Sequence, residues 1–121
     1  KLQDRIFLVG DKSNVSQYLK AFDAMVLSSV KEGFPYALLE AGMAGVPVVA
    51  TNVGGIGEII RDSETGILIE SKDIKALTEA ILKINNDKEF SEKISNNLNK
   101  TIFRDFSFEN LIEKIGWIYK A

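Results

Sequence analysis

Two glutamates in the stretch EGFPYALLEAGMAGVPVVAT, residues 32–51, are the strongest candidates for chemistry in this sequence. Glu32 precedes Gly-Phe-Pro, and Glu40 lies in the middle of an otherwise apolar helical pattern. Carboxylates accept hydrogen bonds from hydroxyl groups, and the free N–H groups at a helix start bind anions such as phosphate. The pattern fits a ligand with hydroxyls on either side of a phosphate, such as a sugar and a ribose. On spacing alone, an equally good interpretation is a solvated loop charge at Glu32 and an exposed helix residue at Glu40.

Short apolar runs that alternate with helical patterns predict the elements that would position these glutamates. The runs predict strands at 6–9, 24–28, 46–50 and 67–69, and the continuous run at 24–28 is typical of a strand covered on both faces. The helical patterns lie at about 14–22, 35–44, 56–61, 73–85, 88–103 and 107–119. Strands alternating with helices indicate the α/β class, here a Rossmann-like parallel sheet of about four strands flanked by helices.

The predicted sheet places Glu32 at the edge where such folds bind ligands. Glu32 follows Ser28, the last residue of a predicted strand, by four residues. Ligands of parallel α/β sheets bind beyond the carboxyl ends of the strands, at the starts of the following helices. Pro35 suits the first residue of the next helix, so the free N–H groups near 34–37 point into the same space. Glu40, about one and a half turns further on, would face the same ligand at another point.

Local signals predict where three of the helices begin or end. Ser13 or Asn14 is expected to cap the 14–22 helix, and Ser107 to cap the last one. Gly45 and Pro47 end the helix that carries Glu40. A glycine inside that helix, Gly42, costs roughly 1 kcal/mol of helix stability relative to alanine. Because glycine has no side chain, we expect it to permit a close helix–strand contact there.

Composition excludes several classes of protein. The 121 residues suffice for one domain and one core. The net charge of −2 and the even mixing of lysines with acidic residues argue against a nucleic-acid partner. The chain contains no histidine and no cysteine, which excludes a histidine-based triad and a zinc site of the usual ligands within it. No Asp-x-Asp pair is present either, so we expect no metal, and no apolar run reaches the roughly 20 residues that span a bilayer.

The string E-G-F-P-Y-A-L-L-E-A, followed by G-V-P-V-V-A-T and G-G-I-G-E, resembles the retaining glycosyltransferases of the GT-B fold, family 4. The family hallmark is two glutamates separated by seven residues, which Glu32 and Glu40 match. The resemblance fades after residue 85. Its other matches are Val9-Gly10, Ser28-Ser29, Gly54-Gly55 with Glu58, and E-T-G-I-L-I. The likeness is to the glycosyl transferases group 1, and it implies a C-terminal, donor-binding domain of which this chain is a part.

The resemblance also implies a role for each matching residue. Glu32, the candidate catalytic residue, would bind hydroxyls of the donor sugar as a positioning group whose stabilising effect grows as positive charge develops on the ring. Glu40 would bind the ribose hydroxyls, and Ser29 would either reach the donor or cap the loop. The backbone around the sugar and diphosphate is that of Gly33, Phe34, Pro35, Tyr36 and Ala37, and the loop beside the base is that of Gly10, Asp11 and Lys12. No cofactor is implied, because the nucleotide sugar is a substrate.

The same likeness indicates that residues 1–121 are a single, partial donor domain. The family's acceptor domain comes first, and neither it nor the opening of the donor domain, with its diphosphate-binding arginine and lysine, is matched here. The two unmatched strands lie between 6–9 and 24–28 in the family's sheet, so we expect strand 6–9 to pair directly with 24–28 or to exchange between copies. The apolar last helix packs on its own sheet or supports self-association. We expect the chain alone to be inactive.

Three functions remain open. The first is a hexosyltransferase that moves a sugar from a UDP-, GDP- or ADP-hexose to a glycan or lipid-linked acceptor. Its expected location is the cytoplasm, with any contact at the inner face of a membrane made through the acceptor domain. The second is a non-catalytic module that binds a nucleotide sugar or a protein partner. The third is a sugar-nucleotide epimerase of the same architecture, for which this segment offers chiefly Glu32 as an acid–base group.

Overall fold

The computed structural model describes residues 2–107 and 109–110, and it confirms the α/β class. Its strands are β1 (Met25–Leu27), β2 (Val48–Thr51) and β3 (Ile67–Ile69). Its α-helices are α1 (Ser16–Leu19), α2 (Tyr36–Ala44), α3 (Ile56–Ile59), α4 (Ile74–Asn86) and α5 (Lys88–Asp105), and a short 3₁₀ helix covers Leu2–Asp4. The predicted ends of these elements differ from the observed ones by a few residues, and α1 is the shortest relative to its prediction.

The sheet is parallel, with the order β1-β2-β3. In the register, Met25 is opposite Val48 and Val49 is opposite Ile67. All four residues of the central strand β2 are buried. The edge strand β1 is not covered on both faces as the apolar run suggested, because the side chain of Val26 is 40% exposed. A continuous apolar run therefore marked an edge strand here as well as a central one.

The prediction of a strand at 6–9 is wrong for this structure. Residues 6–9 are irregular, and all four side chains are exposed, up to 97% for Leu8. Within the part of the chain that the structure describes, β1 pairs with β2 alone, so the sheet has three strands instead of about four. An extended apolar run becomes a strand only when a neighbouring edge supplies hydrogen-bond partners. Direct pairing with β1 is absent, and exchange between copies stays a prediction.

The core lies on both faces of β2, because successive side chains of a strand point to opposite sides. Val48 and Ala50 belong to a cluster with residues of α2, α3 and α5. Val49 lies on the other face, in a smaller cluster with residues of β3, α4 and α5. Helix α5 thus contributes to both clusters, Ile94 to the smaller and Leu98 to the larger.

Helix α2 follows β1 and ends where its sequence predicts. Pro35 takes the N-cap position with an extended backbone (φ −79°, ψ 106°), one residue ahead of the predicted place. Gly45 adopts a left-handed conformation (φ 72°), and its N–H donates to Gly42 O at 3.1 Å. Val46 N–H closes the end by donating to Ala41 O at 3.0 Å. This glycine-terminated C-cap leaves Pro47 just beyond the helix, as expected.

Gly42 allows close packing, but its neighbour is helix α5 and not a strand. A Cβ atom on Gly42 would lie 2.6 Å from Ile102 Cγ1 and 3.0 Å from Leu98 Cγ. The side-chain amide of Asn99, also on α5, donates to Gly42 O at 2.9 Å and to Met43 O at 3.1 Å. The last turn of α2 is therefore held against α5 by both packing and hydrogen bonds.

Two helix caps in the structure were not predicted from the sequence, and one predicted cap is absent. Asp73 accepts from Ala76 N–H and Asp87 from Phe90 N–H, each at 2.9 Å, which fixes the starts of α4 and α5. The cap predicted for the first helix is wrong, because Val15 takes that position without a side-chain bond. Asn14 instead adopts a left-handed backbone (φ 59°) within the preceding turn.

Most of the predicted last helix, 107–119, lies outside the described residues. Asn110 N–H donates to Ser107 Oγ at 3.3 Å, which is the bond expected of a capping serine. Across the residues that the structure describes, none of the helices combines the length and the apolar character needed to cross a bilayer.

Candidate functional site

The loop of residues 28–34, here called the Glu32 loop, follows β1 at the carboxyl edge of the sheet. Ser29 Oγ donates to Glu32 Oε1 at 2.6 Å, and the Glu32 side chain is half-buried. A carboxylate offers about four acceptor positions, so this bond leaves most of them available to a ligand. The structure therefore presents Glu32 as an oriented hydrogen-bond acceptor and not as a freely rotating surface charge.

The end of β2 supports the Glu32 loop from the adjacent strand. Thr51, 2% exposed, donates from Oγ1 to Ser29 O at 2.6 Å, with Leu27 O at 3.4 Å as a second, weaker acceptor. Sequence reasoning did not select Thr51. The available signal was a hydroxyl side chain directly after an apolar strand, but nothing in the sequence shows which carbonyl it meets.

The two glycines after β2 contact the backbone of the Glu32 loop directly. Gly55 N–H donates to Gly33 O at 2.8 Å. Gly54 has a positive φ of 54°, and a Cβ atom there would lie 1.9 Å from Glu32 O. These glycines are therefore more than turn formers, because they allow two backbone segments to touch. Their spacing alone gave no sign of that contact.

The first turn of α2 lies next to Glu32 in the chain and supplies free N–H groups. The first N–H groups of an α-helix have no partner inside the helix, and here they include those of Tyr36 and Ala37. The first turn contains no acidic side chain, so the positive end of the helix dipole is not neutralised locally. This turn suits an anionic ligand group such as phosphate.

Phe34 forms an aromatic edge of the site. Its ring centroid lies 6.2 Å from that of Tyr36 in an edge-to-face arrangement, and 5.8 Å from that of Phe106. Phe106 is the C-cap residue of α5, so the far end of the chain's longest described helix reaches the Glu32 loop. Tyr36 is 75% exposed and leaves a broad ring surface open to a ligand.

Glu40 lies on the side of α2 that faces α1. With Ser16, Lys20, Met43 and Ala44 it lines an open cavity of about 390 Å³. Side chains of a helix tilt toward its N-terminus, which directs the Glu40 carboxylate toward the turn that carries Tyr36 and Ala37. Glu32 and Glu40 are thus presented by one loop–helix unit, at different points along it.

Gly10, Asp11 and Lys12 lie apart from that unit, on the exposed segment that precedes α1. Gly10 has a positive φ of 65°. Within the described ranges, no hydrogen bond or ion pair joins these three residues to Glu32 or Glu40. The structure therefore groups Ser29 and residues 32–37 closely, with Glu40 one turn further along the helix. It leaves 10–12 as a separate segment on the α1 side.

The residues described in the structure contain no group of three His, Cys, Asp or Glu side chains that could hold a metal ion. What the site does combine is an oriented carboxylate, a helix start with free N–H groups, a second carboxylate and aromatic surface. This set can bind hydroxyl groups and an anionic group of one ligand. A parallel α/β domain with such a site at its carboxyl edge belongs to the broad class of Rossmann-like folds, which bind their ligands at this edge.

The chain belongs to the glycosyl transferases group 1 family, whose model matches residues 1–101. It is 32% identical to N-acetyl-alpha-D-glucosaminyl L-malate synthase of Bacillus anthracis, over 98% of this chain and 31% of that protein. It is 33% identical to UDP-Gal:alpha-D-GlcNAc-diphosphoundecaprenol alpha-1,3-galactosyltransferase of Escherichia coli, over 98% of this chain and 30% of that protein. The resemblance read from the glutamate pair and the strings around it is thereby confirmed at the level of the family.

A solved structure shows the same fold. Sucrose-phosphate synthase from Thermosynechococcus elongatus superposes with a TM-score of 0.90 at 30% identity, over 98% of this chain and 30% of that protein. The chain thus has the fold of the C-terminal domain of GT-B glycosyltransferases, and it spans about a third of the length of the proteins that it matches.

Proposed function

We propose that this chain is the donor-binding part of a retaining hexosyltransferase, which moves a sugar from a UDP-, GDP- or ADP-hexose to a glycan or lipid-linked acceptor. The observation that carries the proposal is the half-buried Glu32 carboxylate, oriented by Ser29 at 2.6 Å, directly ahead of a helix start without acidic side chains. A carboxylate touching phosphate would repel it. Glu32 and the helix start together therefore suit a ligand in which the sugar hydroxyls and the phosphate are adjacent but distinct.

Each part of a nucleotide sugar has a corresponding part of the site. Glu32 accepts hydrogen bonds from hydroxyls of the sugar, and the N–H groups of Tyr36 and Ala37 bind the diphosphate. Glu40, further along α2 and beside the cavity between α1 and α2, accepts from the ribose hydroxyls. The segment 10–12 precedes α1 on that same side and contacts the base.

The chemistry follows from where charge develops. As the bond between the anomeric carbon and the diphosphate breaks, positive charge grows on the sugar ring and negative charge on the leaving phosphate. Glu32 stabilises the first, and the start of α2 stabilises the second. The resemblance implies retention of configuration, for which the acceptor oxygen bonds the anomeric carbon on the face from which the nucleotide departs. The bond from that carbon to the phosphate oxygen breaks, and the proton of the acceptor hydroxyl passes to the leaving phosphate oxygen. Glu32 is in this scheme a positioning and electrostatic group, and it forms no covalent bond.

The length of the relatives supports assigning a part of the reaction, and not all of it, to this chain. The names of the relatives at 32% and 33% identity indicate that the sugar is joined to L-malate in one case and to a GlcNAc-diphosphoundecaprenol in the other, while this chain matches about a third of each protein. Differing acceptors with a shared donor-type domain favour an acceptor site elsewhere in a longer protein. We infer that residues 1–121 bind the donor weakly and transfer nothing alone, and that the longer protein works in the cytoplasm.

Donor binding is testable with the isotope-labelled chain by NMR titration, which measures weak affinities. The ligands are UDP-glucose, GDP-mannose and ADP-glucose, each beside its nucleoside diphosphate. Removing one charged hydrogen-bond partner is expected to lower affinity roughly 10- to 100-fold. Glu32→Gln should therefore weaken binding of the sugar nucleotide and leave binding of the nucleoside diphosphate unchanged, whereas Glu40→Gln should weaken binding of both.

Glu92→Gln is the matched control, because it makes the same change on an exposed position of α5. It should leave every affinity unchanged. Failure of the wild-type chain to bind any of the six compounds would overturn the proposed function. Affinities that are unchanged in Glu40→Gln would contradict the assignment of Glu40 to the ribose. Equal losses of affinity for the sugar nucleotide and for the diphosphate in Glu32→Gln would contradict the assignment of Glu32 to the sugar.

A further inference from the structure

We propose that Thr51 and Ser29 are positioning residues, which hold the Glu32 carboxylate in the orientation that meets the donor sugar. The role rests on the proposed donor-binding function. Two hydrogen bonds carry it, from Thr51 Oγ1 to Ser29 O and from Ser29 Oγ to Glu32 Oε1, both at 2.6 Å. Together they form a continuous connection from the buried central strand to the carboxylate.

The first step concerns the single proton of the Ser29 hydroxyl. A hydroxyl donates one hydrogen bond, and Ser29 gives it to Glu32. Phosphate oxygens at neutral pH mainly accept hydrogen bonds, so Ser29 cannot donate to a donor phosphate while this bond persists. Ser29 therefore acts through Glu32 and does not bind the diphosphate itself.

The second step concerns Thr51, which continues the β1–β2 connection where the ladder ends. The last paired residues of the two strands are Leu27 and Ala50, and Thr51 is the next residue of β2. Its side chain bonds Ser29 O, two residues beyond the end of β1. Because Thr51 is 2% exposed and belongs to the central strand, which is paired on both sides, it fixes the backbone at the point where the Glu32 loop leaves the sheet.

The third step is a second attachment on the other side of Glu32. Gly55 N–H donates to Gly33 O at 2.8 Å, so the segment after β2 bonds the residue that follows Glu32. Glu32 is thus bracketed by attachments at Ser29 and Gly33, both of which come from β2 and the turn after it. Loss of the Thr51 hydroxyl leaves only the attachment at Gly33 and allows the loop to shift.

The test compares Thr51→Val, which keeps the shape and removes the hydroxyl, with Thr51→Ser, which keeps the hydroxyl. Thr78→Val is the matched control, because the Thr78 hydroxyl also donates to a backbone carbonyl, Ile74 O at 2.9 Å, on the exposed surface of α4. Titrations use the sugar nucleotides and diphosphates named above. Losing one hydrogen bond in the connection should weaken sugar-nucleotide binding roughly five- to tenfold.

Thr51→Val and Ser29→Ala should both show that loss while the nucleoside diphosphate binds within about twofold of wild type, since the change acts on the sugar end alone. Thr51→Ser and Thr78→Val should match wild type. A Ser29→Ala chain that loses diphosphate and sugar-nucleotide affinity equally would overturn the inference, because Ser29 would then bind phosphate directly. Wild-type affinity in Thr51→Val would overturn it as well.

A second readout needs no ligand. Amide hydrogen exchange of Gly55, which bonds Gly33 O, should be roughly five-fold faster in Thr51→Val and unchanged in Thr51→Ser. If the wild-type chain binds none of the six compounds, the proposed function fails. The hydrogen-exchange rate of the Gly55 amide then tests by itself whether Thr51 anchors the Glu32 loop. Faster exchange at Gly55 would then support the anchoring, and unchanged exchange would overturn it.

Discussion

Replacing Gly42 by alanine tests how closely α2 and α5 pack. The added Cβ atom would lie 2.6 Å from Ile102 Cγ1 and 3.0 Å from Leu98 Cγ. Both neighbours belong to the larger core cluster and are buried, at 3% and 0% exposure. Both contacting atoms are Cγ atoms of buried side chains, so they move away only if χ1 leaves its preferred rotamer or helix α5 shifts, and either change costs free energy.

Two opposing effects set the magnitude. Alanine is favoured over glycine within a helix by roughly 1 kcal/mol. Inserting a methyl group into a packed core costs typically 1–3 kcal/mol, and a contact of 2.6 Å places this case in the upper part of that range. The expected net result is a loss of about 1–2 kcal/mol in the free energy of unfolding.

Urea unfolding followed by circular dichroism measures this loss, with an unchanged m-value as the sign that only stability has moved. The same Gly42→Ala change is also made in an Ile102→Ala chain, in which the atom nearest to the new methyl group has been removed. Ile102→Ala alone should cost about 2–5 kcal/mol. Gly42→Ala added to it should be close to neutral, because the alanine methyl then occupies vacated space. A Gly42→Ala chain that gains about 1 kcal/mol, or the same loss in both backgrounds, would refute the packing argument.

Two further predictions, each with its own control substitution, follow from single contacts. Gly54→Ala should lower the free energy of unfolding by more than about 2 kcal/mol, because its Cβ would lie 1.9 Å from Glu32 O and its φ is 54°. Gly33→Ala, whose new Cβ would have no atom within 4 Å beyond its own residue and chain neighbours, should cost less than about 1 kcal/mol. Asp73→Ala removes the cap of α4 and should cost about 1 kcal/mol, while Asp73→Asn should keep most of that stability. All are measured by urea unfolding.

The outcomes that contradict these two predictions are distinct. Equal effects of alanine at Gly54 and Gly33 would show that the turn after β2 does not touch the Glu32 loop in solution. Equal stability of Asp73→Ala and Asp73→Asn would show that the cap hydrogen bond contributes nothing measurable to α4.

Elements whose signals are local could be predicted from the sequence. Helices α4 and α5 lie close to their predicted ranges, because aspartates cap both and apolar residues recur with helical spacing. The end of α2 followed from Gly45 and Pro47, and β3 from a short apolar run between turns. These signals depend on residues within a few positions of one another, so a single sequence contains them.

Elements that need a distant partner could not be predicted in the same way. The run at 6–9 has the composition of a strand but no neighbouring edge among the described residues, and it stays irregular. The apolar run of β1 looked like a strand covered on both faces, yet it lies at the edge of the sheet with Val26 half exposed. Composition indicates that a segment can pair, whereas pairing depends on what the fold brings beside it.

By itself, the sequence determined the α/β class, the family and the two glutamates as the candidate ligand groups, because ordered motifs and alternating periodicities are properties of the chain. Only the tertiary structure decided what holds Glu32. The Thr51–Ser29 bond joins residues 22 positions apart, and the contact of Gly54 with Glu32 O likewise joins two separate loops. Hydrogen bonds of this kind form between strand ends that the sheet register brings together, and no local pattern specifies that register.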